Sequence, residues 1–409
     1  MKILSVIIIF GICILSISCN FSTIESKSSA NLITVPKLLD RNEKLFYGKE
    51  WENTQNEYVE ARENLKLENI NPENYLRLAS IFSNEARITG EHGHYYPAAL
   101  MVLDKALESN PNEDILFRAM TMKASVLLSQ HEFQQALDLG KAALKLNPYN
   151  AHIYGVLVDA YVELGDYNMA VSMTDKMINI RPDLRSYARV SYLREIHGDI
   201  KGSKEAMQLA VDAGYPPHEQ TAWTRLTLGE LHHTYGNLEA AKLEYKKILN
   251  TRKDYPFAIA ALANINIQEG DLENAETLLE EAIEIIPEVG FYEQLAHLYK
   301  STNRKNEFDT IVSEIFLMLE DDVIHGHNMN MEYASFYLDL LEKPNKALDY
   351  ALLEYSKRPE NIDINRLLAK IYFAKSDLKN AEKHSKAAAK TGSLHPDLID
   401  IKAALLAIK

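Results

Sequence analysis

Cysteine is almost missing. The 409 residues hold two, Cys13 and Cys19, both near the start, so no disulfide can staple the body of the chain and no thiol is available there for catalysis. Glycine (16) and proline (13) are scarce as well, together about 7% against a usual ~12%. A sandwich or barrel needs such residues at each corner, so an all-β fold is excluded. Positive charge is in deficit, with 44 basic against 58 acidic residues and a formal net charge of −14. A surface of that sign repels phosphate backbones unless a basic patch intervenes, and no Lys/Arg run supplies one, which sets nucleic acid aside as a partner. What is present is ordinary for a folded chain: 46% hydrophobic and 25% charged residues, enough to build a core.

The start of the chain reads as an export signal. Lys2 precedes an apolar stretch from Ile3 to Ile17, with the small Ser18 before Cys19. That stretch is shorter than the ~20 residues of a spanning helix and fits a secretory signal peptide over 1–18. An uncleaved membrane anchor is the alternative. The segment Leu15-Ser16-Ile17-Ser18-Cys19 resembles the lipobox of bacterial lipoproteins, with Leu at the fourth rather than the third place before the cysteine. The resemblance implies acylation of Cys19, a membrane held through that lipid, and, with Asn20 next to it, sorting to the outer membrane. Residues 19–36 are polar and Ser-rich and are expected to form a flexible tether.

Beyond it one phrase returns: a helix-length apolar pattern, Gly-Asp-Tyr or a relative, Ala three residues on, a small or apolar residue seven further, then Pro. The clearest copy is 151–183, with Tyr154, Leu157, Tyr161, Gly165-Asp166-Tyr167, Ala170, Met177 and Pro182. The same place recurs at Ala99, Ala136, Ala170, Ser203, Ala241, Ala275, Phe308, Ala347 and Ala381, at steps of 33 to 39 residues. Within a copy, Tyr154, Leu157, Val158 and Tyr161 share one helical face. Gly165 ends that helix and Asp166 caps the next. A small residue at the repeated place lets paired helices approach, and each hairpin buries its second face only against its neighbour.

This pattern resembles the tetratricopeptide repeat over residues 74–392. The resemblance implies an all-α, right-handed α-solenoid of about eight to nine stacked helical hairpins. Residues 37–73 are read as a helical N-terminal cap and 393–409 as a closing helix, with Leu398, Ile401, Leu405 and Ile408 on one stripe. Three stretches break the period and are expected as loop insertions: Ile88 to Tyr95, Ala213 to Glu219, and Asp321 to Asn328.

Chemistry is hard to find. His92-Gly-His94 and His325-Gly-His327 lack the cysteines or clustered carboxylates of a ligand set and read as solvated loop histidines. His131-Glu132 and His218-Glu219 lack a second histidine four residues on, since Gln135 and Ala222 stand there, so no zincin motif exists. No phosphate-binding or dinucleotide glycine loop and no nucleophile elbow occurs. The reading is of a protein without enzymatic activity or cofactor, His325 and His327 being the best residues for the contrary view.

What remains is a surface. The resemblance implies a concave groove lined by the first helix of each pair, at the second, fifth, ninth and twelfth repeat places. Transferred here, these give, among others, His152 and Asp159, then Arg185, Tyr192 and Glu195, then Trp223, Glu230 and His233, then Phe257 and Asn264. The Lys and Asn that clamp a peptide's terminal carboxylate in chaperone-binding members are not at their places. Arg185, Arg189, Tyr192, Trp223, Glu230, Phe257 and Asn264 are the candidate groove residues, aromatics and arginine being enriched at binding hot spots. Inter-repeat core packing is the competing reading for the three aromatics. The expected function is a lipid-anchored scaffold of the cell envelope that takes a protein or peptide segment in the groove. A carbohydrate-binding lipoprotein is the alternative.

Overall fold

Short capping signals divide the chain into helices. Asn112, Asn150, Asp166, Asp183, Asp199, Asn237, Asn361 and Asp377 each accept a backbone N–H of the helix they precede, satisfying a donor that the first turn leaves open. The computed structural model describes residues 35–67 and 71–408. Among them are twenty α-helices and no strand. A leading helix α1 (Glu50–Asn64) precedes nine antiparallel hairpins. These are α2/α3 (Glu73–Thr89, His92–Glu108), α4/α5 (Glu113–Ser129, Phe133–Leu146) and α6/α7 (Ala151–Leu164, Tyr167–Ile180). Next come α8/α9 (Leu184–Ile196, Ile200–Asp212), α10/α11 (Glu219–Thr234, Leu238–Thr251) and α12/α13 (Pro256–Glu269, Leu272–Ile285). Then follow α14/α15 (Val289–Ser301, Lys305–Ile324), α16/α17 (Asn330–Ser335, Pro344–Lys357) and α18/α19 (Ile362–Ala374, Leu378–Ala388), closed by α20 (Pro396–Ile408). The fold is an all-α solenoid of stacked hairpins. No described helix is long and apolar enough to cross a membrane.

The repeated small residue sits at the heart of every hairpin except α14/α15, where Phe308 takes the place. Ala99, Ala136, Ala170, Ala241, Ala275, Ala347 and Ala381 are all fully buried. Ser203 takes the same place, and its hydroxyl is satisfied by Ser191, 3.0 Å away, so polarity is tolerated there at little cost. Leu398, Ile401 and Leu405 close the last hairpin, as their stripe predicts, whereas Ile408 is exposed.

The irregular steps resolve differently from the expectation of loops. The extra residues at 88–95 lengthen helices: α2 runs to Thr89 and α3 starts at His92, leaving two residues between them. In the second long step, α15 extends to 20 residues and a π-helical turn (Phe336–Leu340) absorbs an added residue after α16. The stretch 213–218 forms an inter-hairpin loop, and so does 325–329 between α15 and α16. The N-terminal cap is also less helical than expected, since the described residues up to Lys49 form only one 3₁₀ turn, Glu43–Leu45. Tertiary bonds hold that stretch instead: the Tyr95 hydroxyl accepts from the Leu39 amide at 3.0 Å, and Arg41 lies buried against Glu85.

The array winds back on itself, and several contacts across the seam share one offset. Gln130 meets His325, Glu163 meets Arg358, and Tyr167 meets Ile362, each pair 195 residues apart, so successive turns of the superhelix stack edge to edge after five to six hairpins. Gly165 lies on this seam with φ +84°, and a Cβ there would collide with the Glu360 carbonyl group. Gly270 has the same conformation with open space around it. Gly165→Ala is therefore expected to cost about 1 kcal/mol for its backbone plus ~1–3 kcal/mol for forcing the turns apart. Gly270→Ala should cost only the first part, and urea unfolding of the two variants measures the difference.

Candidate functional site: the inner wall

Winding turns the first helices inward. A cavity of 450 Å³ is lined chiefly by residues of α2, α4, α6, α8 and α10, and a second of 250 Å³ by residues of α10, α12 and α14. Trp223 belongs to both and stands between them. It is 41% exposed, and its ring meets Phe257 edge-on at 5.2 Å, with Phe291 a further 5.4 Å along. Phe257 is half-buried and packs on the inter-repeat core. Trp223 thus stands open to the groove while Phe257 packs against it.

The first cavity is cationic. Arg87, Arg185 and Arg189 line it together with His152, Ser83 and Ser125. Arg189 is held by Asp159 at 2.5 Å and Arg87 by Glu219 at 2.7 Å. Arg185 has no carboxylate within salt-bridge distance among the described residues. Its side chain touches solvent yet is ringed by protein, and burial together with the charge of Arg189 depresses its pKa. Burial, then Arg185 and Arg189, lower His152 to about 4, which keeps it neutral.

The second cavity is acidic. Glu230 and Glu288 line it beside Asn264, and Glu293 follows on α14. None of the three has a cationic partner among the described residues. Burial raises Glu230, with Glu195 adding to it, and lifts Glu288 and Glu293 to about 7, helped by Asp322 and Glu332 respectively. The Tyr245 side chain is fully buried beneath this cavity, and its hydroxyl has no hydrogen-bond partner.

Of the residues singled out from sequence, Arg185, Arg189 and Trp223 fall in the first cavity, and Trp223, Glu230, Phe257 and Asn264 in the second. Tyr192 lines neither; it sits one turn beyond Arg189 on α8, 37% exposed. Phe291 is within reach of the repeat register, 34 places after Phe257. Arg87, Glu288 and Tyr245 are not among the groove places read from the repeat: Arg87 lies on α2, Glu288 caps α14, and Tyr245 reaches the wall from α11 beneath Gly229. Cys19 lies outside the described residues.

The two His-Gly-His segments converge at the seam between turns. The rings of His92 and His327 are 5.8 Å apart, and that of His131 is 6.4 Å from His327. Solvated loop histidines are the wrong description for the inner pair: His327 is 8% exposed and His92 stacks on Tyr96, because α3 begins at His92 and the second turn covers it. His325 is exposed as expected, and the His94 ring bonds the Lys37 carbonyl at the protein surface. Among the described residues no group of three or more His, Cys, Asp or Glu is arranged to hold a metal ion.

Comparison with known proteins agrees with the repeat architecture. Tetratricopeptide-repeat profiles match residues 127–194 and 258–289. The chain is 29% identical over 177 residues to anaphase-promoting complex subunit 7 of Arabidopsis thaliana, covering 42% of this chain and 28% of that protein. It thus spans less than a third of that relative's length. Among solved structures, a thermophilic tetratricopeptide protein of Thermus thermophilus aligns with 22% identity and a TM-score of 0.41, over 48% of this chain and 99% of that one. The Cut9 and Hcn1 hetero-tetramer aligns with 14% identity and a TM-score of 0.48, over 88% and 60%.

Proposed function

We propose that this protein is a scaffold that captures a peptide or protein segment along its inner wall between α8 and α14, and that it does so in the cell envelope, tethered by a lipid on Cys19. The observation that carries the reading is Trp223, a large ring left uncovered at the boundary of two cavities on the concave side of a tetratricopeptide array. Proteins built from such repeats generally mediate protein-protein interactions, and the sequence over 1–19 supports export and acylation. The reading assigns the protein no reaction. A carbohydrate site would call for long insertions, and the connections beside this wall are short, as at Gly270-Asp271 within the α12/α13 hairpin and 286–288 between α13 and α14.

A photo-crosslinking residue at position 223, activated in the native cell, should trap a protein whose crosslinked peptide is identified by mass spectrometry. Trp223→Ala should weaken capture of that protein tenfold or more, equivalent to at least ~1.4 kcal/mol, as expected for an aromatic anchor. Helical circular dichroism should not change. Unfolding on substitution would assign Trp223 to the core and remove the reading.

A further inference from the structure

The two halves of the wall differ in sign, and neither is fully neutralised by its own protein. On one side of Trp223, Arg189 and Arg87 are engaged with Asp159 and Glu219, which leaves Arg185 without an ion-pair partner. The nearest acid, Asp183, caps α8 through its backbone amides and pairs with Arg181 instead. On the other side, Glu230, Glu288 and Glu293 lie in the field of further carboxylates, with no Lys or Arg paired to them among the described residues. Arg185 and Glu230 are exposed and Glu288 is half-buried, so these charges face the groove and remain free to meet a ligand. A ligand of complementary charge would supply the missing partners on binding. The unpartnered Tyr245 hydroxyl beneath the acidic half is a second sign that the cavity is incomplete as it stands.

Resting on the reading of this wall as a peptide groove, we infer that it recognises a segment of segregated charge: carboxylate side chains at one end against Arg185, a large apolar residue on Trp223 and Phe257, and Lys or Arg at the other end against Glu230 and Glu288. A uniformly acidic segment would be repelled by the glutamates, and a uniformly basic one by the arginines. Neighbouring first helices lie roughly 8–10 Å apart, so α8 to α14 is about 25–30 Å. An extended segment of about eight residues covers that distance.

The test uses three fluorescein-labelled dodecapeptides of one composition, with the full chain and fluorescence anisotropy. One runs acid block, Leu-Trp-Leu, lysine block; one runs in the reverse order; one has the charges interleaved. One segregated peptide is expected to bind at least tenfold tighter than the interleaved one. Arg185→Glu should weaken it at least tenfold, and a peptide whose acid block is replaced by lysine should recover most of that loss on the variant. Glu230→Lys should weaken it likewise. Both side chains reach solvent and neither is paired, so these variants should keep the fold. Equal affinity for segregated and interleaved peptides, or indifference to Arg185→Glu, overturns charge recognition. If that equal binding is lost in Trp223→Ala, the groove itself stands. If no peptide binds and the crosslinker at 223 traps no protein, both readings fall.

Discussion

Replacing Arg358 by alanine should lower the unfolding free energy by about 3–5 kcal/mol, the usual cost of stripping one partner from a buried ionic group. Arg358 is 6% exposed and joins Glu354 of α17 to Glu163 of α6, while its guanidinium lies 4.8 Å over the Phe133 ring of α5. Glu354 also accepts from Asn328 at 2.8 Å, so one cation organises groups from both turns of the superhelix. Its loss leaves two carboxylates in a poorly hydrated seam. In a solenoid each hairpin is stabilised mainly by its neighbours, and seam contacts are what tie distant hairpins into one cooperative unit. Arg358→Ala should therefore both destabilise the protein in urea and broaden its transition, with an increased radius of gyration by X-ray scattering. Adding Glu354→Ala should recover part of the loss, because one of the orphaned charges is removed with it. A purely local effect would leave the radius and the steepness of unfolding unchanged.

The same residue marks the limit of what the sequence discloses. The hairpins are legible because they are local: a small residue every 33 to 39 places and an apolar stripe at helical spacing follow from packing one helix on the next. The winding is not, because Glu163 and Arg358 sit 195 residues apart and obey no short period. The stretch before α1 departs from its expected helicity for a related reason. Its conformation is set by Glu85 and Tyr95, which lie in the first hairpin, and not by the propensities of its own residues. At the inner wall, repeat register alone places Trp223, Phe257 and Arg185. It does not reveal their meaning, since the contrast between the two cavities depends on Arg87 arriving from α2 and on which charges find partners after winding.

Stability should depend on pH through two opposed sets of groups, one buried and one half-buried. His384 is 4% exposed, stacked on Tyr372 and bonded through Nδ1 to Asn365 at 2.8 Å; burial, then Lys383, lower it to about 4. A histidine whose folded pKa lies below its unfolded value stabilises the fold above about pH 6.5 and loses that contribution as pH falls towards 4. At ~1.4 kcal/mol per unit of pH, the loss through His384 is on the order of 3 kcal/mol at the acid end. Glu288 and Glu293, raised to about 7, have the reverse sign: their contribution is present below pH 4.5 and is lost as pH rises through 7. Between about 4.5 and 6.5 the two sets offset one another. Urea unfolding across roughly pH 4 to 8 should show each limb separately once the other is removed. His384→Gln should reduce the acid limb, leaving the share of His92 and His152, while Glu288→Gln with Glu293→Gln should raise stability at about pH 7.5 relative to about pH 5. A segment carrying lysine into the acidic cavity would act on that second limb alone, holding Glu288 ionised and returning the stability that its isolation removes.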